Sequence, residues 1–250
     1  MVSCMGAALH ALRSFEKGAR NPGRASHPEA YILPPVDWAA MYEREVGRYH
    51  DGEARLGDGS DERQRQLTRM GNAAWGAGLC LLMQGDDARE WLERAAERWR
   101  ESYTDAPPGS WGRPIGAIKA LVLADDWGAA EDAARWALAE GAGESESPIG
   151  RYAAALACSV LGDWKHARVH ADEIRIRDDF PRDVADALAM IAAEDVVGYV
   201  EAIESVLRSF ETREEYLEDL PVADTVLVLQ ALAQRRGIAT ELSSPLLPSA

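Results

Sequence analysis

Cysteine is scarce: Cys4, Cys80 and Cys158 are the only three in 250 residues, at no spacing that suits a disulfide framework or a zinc site. Cys80 and Cys158 lie inside the apolar runs "GLCLLM" and "ALACSV". They read as buried free thiols in a reducing compartment, because a nucleophilic cysteine wants a base or helix N-terminus beside it and some exposure. Lysine is equally rare, with Lys17, Lys119 and Lys165 alone among 27 basic residues. No run approaches the roughly 18 apolar residues that span a bilayer. The opening "MVSCMGAALHALRSFEKGAR" lacks a basic start and carries His, Arg and Glu too early for a signal peptide. A soluble, cytoplasmic protein is expected. Gly-x-Ser-x-Gly, His-Glu-x-x-His, a phosphate-binding glycine loop and Cys-x-x-Cys are all missing. No cofactor and no catalytic residue is therefore implied.

Acid is abundant. Forty-two Asp and Glu against 27 Lys and Arg leave a net charge of −15, which repels phosphate backbones and anionic lipid. Nucleic acid and membranes are not expected partners; another protein is. The acidity suits either a high-salt habitat or a basic partner, and composition does not choose between them.

Residues 3–18 have a helical pattern and "NPGRASHPEAYILPP" breaks it, so residues 1–35 are expected to form a short helix and an extended arm. Residues 36–250 are expected to form a single helical-repeat domain. Within it, Trp38, Met41, Tyr42, Val46 and Tyr49 recur at helical spacing. Further on, two stretches echo each other, "RPIGAIKALVLADDW" at 113–127 and "SPIGRYAAALACSVLGDW" at 147–164. Proline suits the first position of a helix, where its missing N–H would have no partner anyway. Pro114, Pro148, Pro181 and Pro221 are thus expected to open helices, at intervals of 34, 33 and 40 residues. Between them lie acidic turns: Gly85-Asp86-Asp87, Asp125-Asp126-Trp127, Gly162-Asp163-Trp164 and Glu194-Asp195-Val196. Each turn would stop one helix on a left-handed residue and cap the next with aspartate. A helix, a tight turn and a second helix repeating near 34 residues mark stacked helical hairpins. Neither helix of a pair covers its apolar stripe alone, so the pairs must stack. The expected fold is all-α, four to five hairpins in a right-handed stack behind an N-terminal helical cap.

"LGDWKHA" at 161–167 and "ADDWGAA" at 124–130 resemble the turn and small helix-B residue of the tetratricopeptide-repeat family, and Pro148 and Pro181 fall where its repeat-closing proline would. The resemblance covers residues 65–236 and implies a protein-binding scaffold working through its groove. The family's helix-A glycine and tyrosine do not recur in each unit. The C-terminal "VADTVLVLQALAQRRGIATELSSPLLP" is similar to the ending of the immunity protein 49 family, all-helical antidotes to bacterial toxins. That similarity implies a toxin-neutralising protein whose acidity would complement a basic toxin nuclease.

Several residues invite a chemical reading. His166, His170 and Glu173 share one stripe at i, i+4 and i+7. They lie roughly 110° from the apolar stripe of the same helix, which favours a solvated flank over a metal site. "DDARE", with Asp86, Asp87 and Glu90, matches a magnesium-diphosphate pattern but lacks a facing carboxylate cluster. A metal- or diphosphate-dependent helical enzyme on these residues is the alternative from another class. Lys119 and Arg151 each interrupt a run of small apolar residues after a Pro-Ile-Gly start, and are expected to face the groove together, as partner-binding cations or in ion pairs with Glu131 or Asp172. Trp111, on the loop "APPGSWGRP", is either buried or a partner anchor.

Overall fold

Aspartates and left-handed residues at the turns decide the architecture, and a computed structural model describing residues 36–57 and 59–249 shows how. Among the described residues every regular element is helical. Ten α-helices follow one another: α1 (Trp38–Ala54), α2 (Ser60–Gln84), α3 (Arg89–Tyr103), α4 (Gly112–Leu123), α5 (Trp127–Ala139), α6 (Pro148–Val160), α7 (Trp164–Arg175), α8 (Arg182–Ala193), α9 (Val196–Glu211) and α10 (Asp224–Arg236). Two 3-10 turns, Ala142–Glu144 and Leu217–Asp219, punctuate them. The helix and arm expected over residues 1–35 lie outside the described residues.

The pairs α2/α3, α4/α5, α6/α7 and α8/α9 are antiparallel hairpins, and each helix packs on its chain neighbours. All four turns share one hydrogen-bonding scheme. Gly85, Asp125, Gly162 and Glu194 adopt φ of 76°, 54°, 72° and 59°. The next residue then donates its N–H five positions back: Asp86 to Leu81 (2.9 Å), Asp126 to Leu121 (3.0 Å), Asp163 to Cys158 (2.9 Å) and Asp195 to Met190 (3.0 Å). These bonds satisfy carbonyls that a helix end leaves unpaired. In three turns the same aspartate caps the following helix: Asp126 accepts from Ala129 N–H (3.0 Å), Asp163 from His166 (3.3 Å) and Asp195 from Gly198 (3.0 Å). Ala130 and Ala167, one turn into helix B, are buried and let the paired helices approach.

The Pro-Ile-Gly echo has a packing cause as well. A Cβ on Gly116 would sit 2.7 Å from the Trp99 ring, and one on Gly150 would collide with Ser145 and sit 2.9 Å from Trp111 Nε1. Each glycine opens the slot that receives an indole from the preceding unit. The prolines themselves vary in position. Pro148 occupies the first residue of α6 behind its Ser147 cap, Pro181 is the N-cap of α8, and Pro114 is the third residue of α4. Pro221 stands three residues before α10, inside a tight turn in which Val222 N–H donates to Leu220 O (2.8 Å), and Ala223 N–H then donates to Leu246 O (2.9 Å).

The last helix departs from the hairpin series. α10 turns back and packs on α4, α8 and α9, while α6 touches both α4 and α8. It carries Val226, Leu227, Val228 and Leu229 in succession, an apolar surface on more than one side, as a helix enclosed by several neighbours requires.

Candidate functional site

The face made by the first helices of the hairpins is where a partner-binding groove was expected. The chain's own C-terminal segment occupies it. After α9 the backbone crosses to α2, where the Leu217–Asp219 turn docks and Leu220 lies 3.0 Å from the position of a Cβ on Gly76. From there α10 runs back over α4 and α8. Nine apolar side chains of this segment are buried: Leu220, Val222, Val226, Val228, Leu229, Leu232, Ile238, Leu246 and Leu247. At roughly 1.5–3 kcal/mol each their gross burial exceeds 10 kcal/mol, which rivals the whole stability of an ordinary domain. Removing the segment is on the scale of unfolding, so the groove is core.

Lys119 is built into that closure. Its ammonium pairs with Asp224 in the first turn of α10, lies 3.2 Å from Thr225 Oγ1 and sits 5.6 Å from the Trp75 ring centroid. The two side chains are 12% and 17% exposed. Arg151 goes elsewhere. Its guanidinium meets Glu173 at 3.1 Å, the Gly143 carbonyl and His170 Nδ1 at 3.5 Å, on the side of α7 and the first 3-10 turn. The structure thus brings Lys119 and Arg151 to different neighbours, and neither uses Glu131 or Asp172. Trp111 is 7% exposed in a cluster with Ala142, Ala153 and Ala154, so burial, one of its two expected states, is the one found.

The candidate metal ligands are engaged in ordinary polar contacts with their neighbours. His166 Nδ1 is 2.7 Å from the capping Asp163, whereas His170 faces Arg151 and Glu173. The His166 hydrogen bond holds the Asp163 carboxyl below its ordinary range. Glu90 pairs with Arg94, and Asp87 accepts from Arg89 N–H at 3.0 Å. Among the described residues no three His, Cys, Asp or Glu side chains are grouped to hold a metal. Burial pushes the Cys80 thiol up to about 12 and the Cys158 thiol to about 11, away from nucleophilic use.

One charged cluster was not foreseen. Glu45 in α1 has a side chain 0% exposed. It pairs with Arg44 at 2.9 Å and Arg48 at 2.8 Å, and Arg48 also meets Glu218 at 2.6 Å. Asn72 donates to Glu218 at 3.1 Å, and Arg44 to the Glu218 carbonyl at 2.8 Å. Glu218 and Asp219 hold φ of 55° and 57°, a costly backbone kept by these contacts. Burial, partly offset by Arg48 and Arg44, raises the Glu45 carboxyl above its ordinary range. The only sequence signal was a glutamate on the packed side of an otherwise ordinary helix.

No family model, curated protein or solved structure matches the chain.

What remains on the outside is a repeating acidic edge. Asp86, Asp87, Asp125, Asp126, Asp163, Glu194 and Asp195 all belong to the four hairpin turns, and all but the half-buried Asp126 are exposed. The α10 C-terminus is clasped to the same edge. Arg235 stacks 4.4 Å from the Trp127 ring and pairs with Glu131 at 2.9 Å, while Arg236 stacks 4.8 Å from Trp164 and pairs with Glu194 at 3.0 Å. Among the described residues no helix is long and apolar enough to cross a membrane.

Proposed function

We propose that this chain is a non-enzymatic, cytoplasmic protein-binding module of the tetratricopeptide-like helical-hairpin type, and that its partner is a basic protein. The observation that carries the reading is the edge of four successive hairpin turns, which carries seven carboxylates, of which Glu194 is already paired with Arg236. Three of them, Asp126, Asp163 and Asp195, are fixed by capping and lose little entropy on binding, and the summed field of the edge steers a cationic partner while repelling nucleic acid. With the groove filled, this outer edge takes over the binding role first expected of Lys119, Arg151 and Trp111.

A second reading, a toxin-neutralising immunity protein, is favoured by the segment that carries the resemblance. Residues 222–248 supply α10 and the tail with buried Leu246 and Leu247, so the similarity falls on residues the fold depends on. A basic toxin would meet the same acidic edge.

The test neutralises the edge without disturbing the turns. Asparagine caps helices as well as aspartate and tolerates the left-handed conformation. Changing the six aspartates to asparagine, and leaving Glu194 in its pair with Arg236, therefore removes six negative charges and keeps the caps. In a pull-down from the native cell at about 0.15 M salt, the unmodified chain should retain one basic protein and the neutralised chain should lose it. Equal capture by both would defeat the proposal. Rescue of cell growth by the chain when the captured protein is expressed alone selects the immunity reading.

A further inference from the structure

Beside the acidic edge, where α2, α4 and α10 end together, a pocket of about 320 Å³ opens to the surface. Its walls are the half-buried Leu82, Leu123, Leu227 and Pro248, with Ala239 and Gln234 at the mouth. The tail that forms one wall is tied down by Gln230 Nε2 donating to Thr240 O at 3.3 Å. The volume stands at the lower end of the roughly 300–1,000 Å³ of ligand sites, right for a large apolar side chain. Its surroundings are charged. Leu82 leads within four residues to Asp86, Leu123 within two to Asp125, and Thr240 is followed by the exposed Glu241. An apolar depression flanked by segments that carry the exposed carboxylates Asp86, Asp125 and Glu241, with Arg235 next to the lining Gln234 held over Trp127, has the centre and rim of a protein interface, where one anchored side chain carries most of the energy.

We propose that this pocket receives a phenylalanine- or leucine-sized anchor from a lysine- or arginine-rich segment of the partner protein. The inference rests on the basic-partner reading and adds where the contact is centred. The carboxylates would set the encounter and the pocket the residence time, because rim charges act on association while a buried anchor acts on dissociation.

Two synthetic peptides test it on the full chain by titration calorimetry, Lys-Lys-Phe-Lys-Lys and Lys-Lys-Ala-Lys-Lys. Burying the ring should make the phenylalanine peptide bind about tenfold tighter or more. Ala239→Trp and Ala231→Leu fill the pocket, one from an exposed and one from a half-buried position, and circular dichroism reports whether each folds. Both should erase the phenylalanine advantage and leave alanine-peptide binding unchanged. Asp86→Asn with Asp125→Asn should weaken both peptides alike. Equal affinity for the two peptides, or an advantage that survives both filled variants, overturns the pocket proposal. If both peptides still bind in an edge-dependent way, the basic-partner reading outlives that result. If neither peptide binds, both readings fall.

Discussion

Replacing Lys119 by methionine tests the closed groove at its largely buried ion pair. Methionine keeps the length and apolar stem of lysine, so packing against Trp75 is retained while the charge is lost. Asp224 is then left beside α4 without its paired ammonium, 17% exposed and with only the more distant charge of Arg213 near it. Breaking a fully buried pair from one side costs about 3–5 kcal/mol. Residual exposure of both groups reduces this, and we expect a loss of about 2–3 kcal/mol. For a chain of this size that corresponds to a fall in melting temperature of about 4–10 °C. Adding Asp224→Asn removes the stranded charge and should restore at least half of the loss, a coupling of at least about 1 kcal/mol in the double-mutant cycle. Urea unfolding followed by tryptophan emission gives all four stabilities. A Lys119→Met chain within about 0.5 kcal/mol of the unmodified protein would refute the argument, since that is the size of an ordinary surface substitution.

Arg151→Met should cost only about 1 kcal/mol in the same assay, because its partner Glu173 is 44% exposed and such pairs are weak; a loss equal to that of Lys119→Met would contradict the assigned geometry. In the folded chain Cys80 and Cys158 should resist iodoacetamide at about pH 8 and become labelled only in denaturant, as peptide mass spectrometry will show; rapid native labelling of either would place it outside the core. Glu45 has its carboxyl raised in the folded state, so that state binds more protons and the contribution is present at low pH and lost as pH rises through the raised value. The stability gap between the unmodified chain and Glu45→Gln should therefore narrow as the pH rises above about 4, and a widening gap in urea titrations would reverse the assignment. Arg236→Ala should lower stability by about 1 kcal/mol through lost stacking on Trp164 and lost pairing with Glu194, and an unchanged midpoint would mean the clasp carries no load.

The hairpins were legible because their determinants are local. A left-handed residue followed by an aspartate defines each turn, two of them with an alanine four places after the aspartate (Ala130 and Ala167), and Asp125 and Glu194 take the glycine's role with φ of 54° and 59°. The destination of α10 was not legible, since docking across α4 and α8 depends on contacts about a hundred residues apart, as between Lys119 and Asp224. Its one local hint was the unbroken Val226–Leu229 run, too apolar all round for a helix with a solvent face. The pairing of Lys119 with Arg151 failed on register. Aligned on Pro-Ile-Gly, Arg151 corresponds to Ala117 and Lys119 to Ala153, and two positions along a helix turn a side chain by about 200°. Trp111 looked like a loop residue by its proline and glycine neighbours, but Gly150 in the next unit makes room for its ring.

The central claim, a hairpin stack whose own C-terminal helix fills the groove, is tested most directly by amide hydrogen exchange over residues 224–236. Enclosed on several sides, these amides should be protected to the same degree as those of α4, α6 and α8 and be released only by global unfolding. Exchange of the α10 amides within seconds, while α4 and α8 stay protected, would mean that the helix leaves its seat and the groove is open.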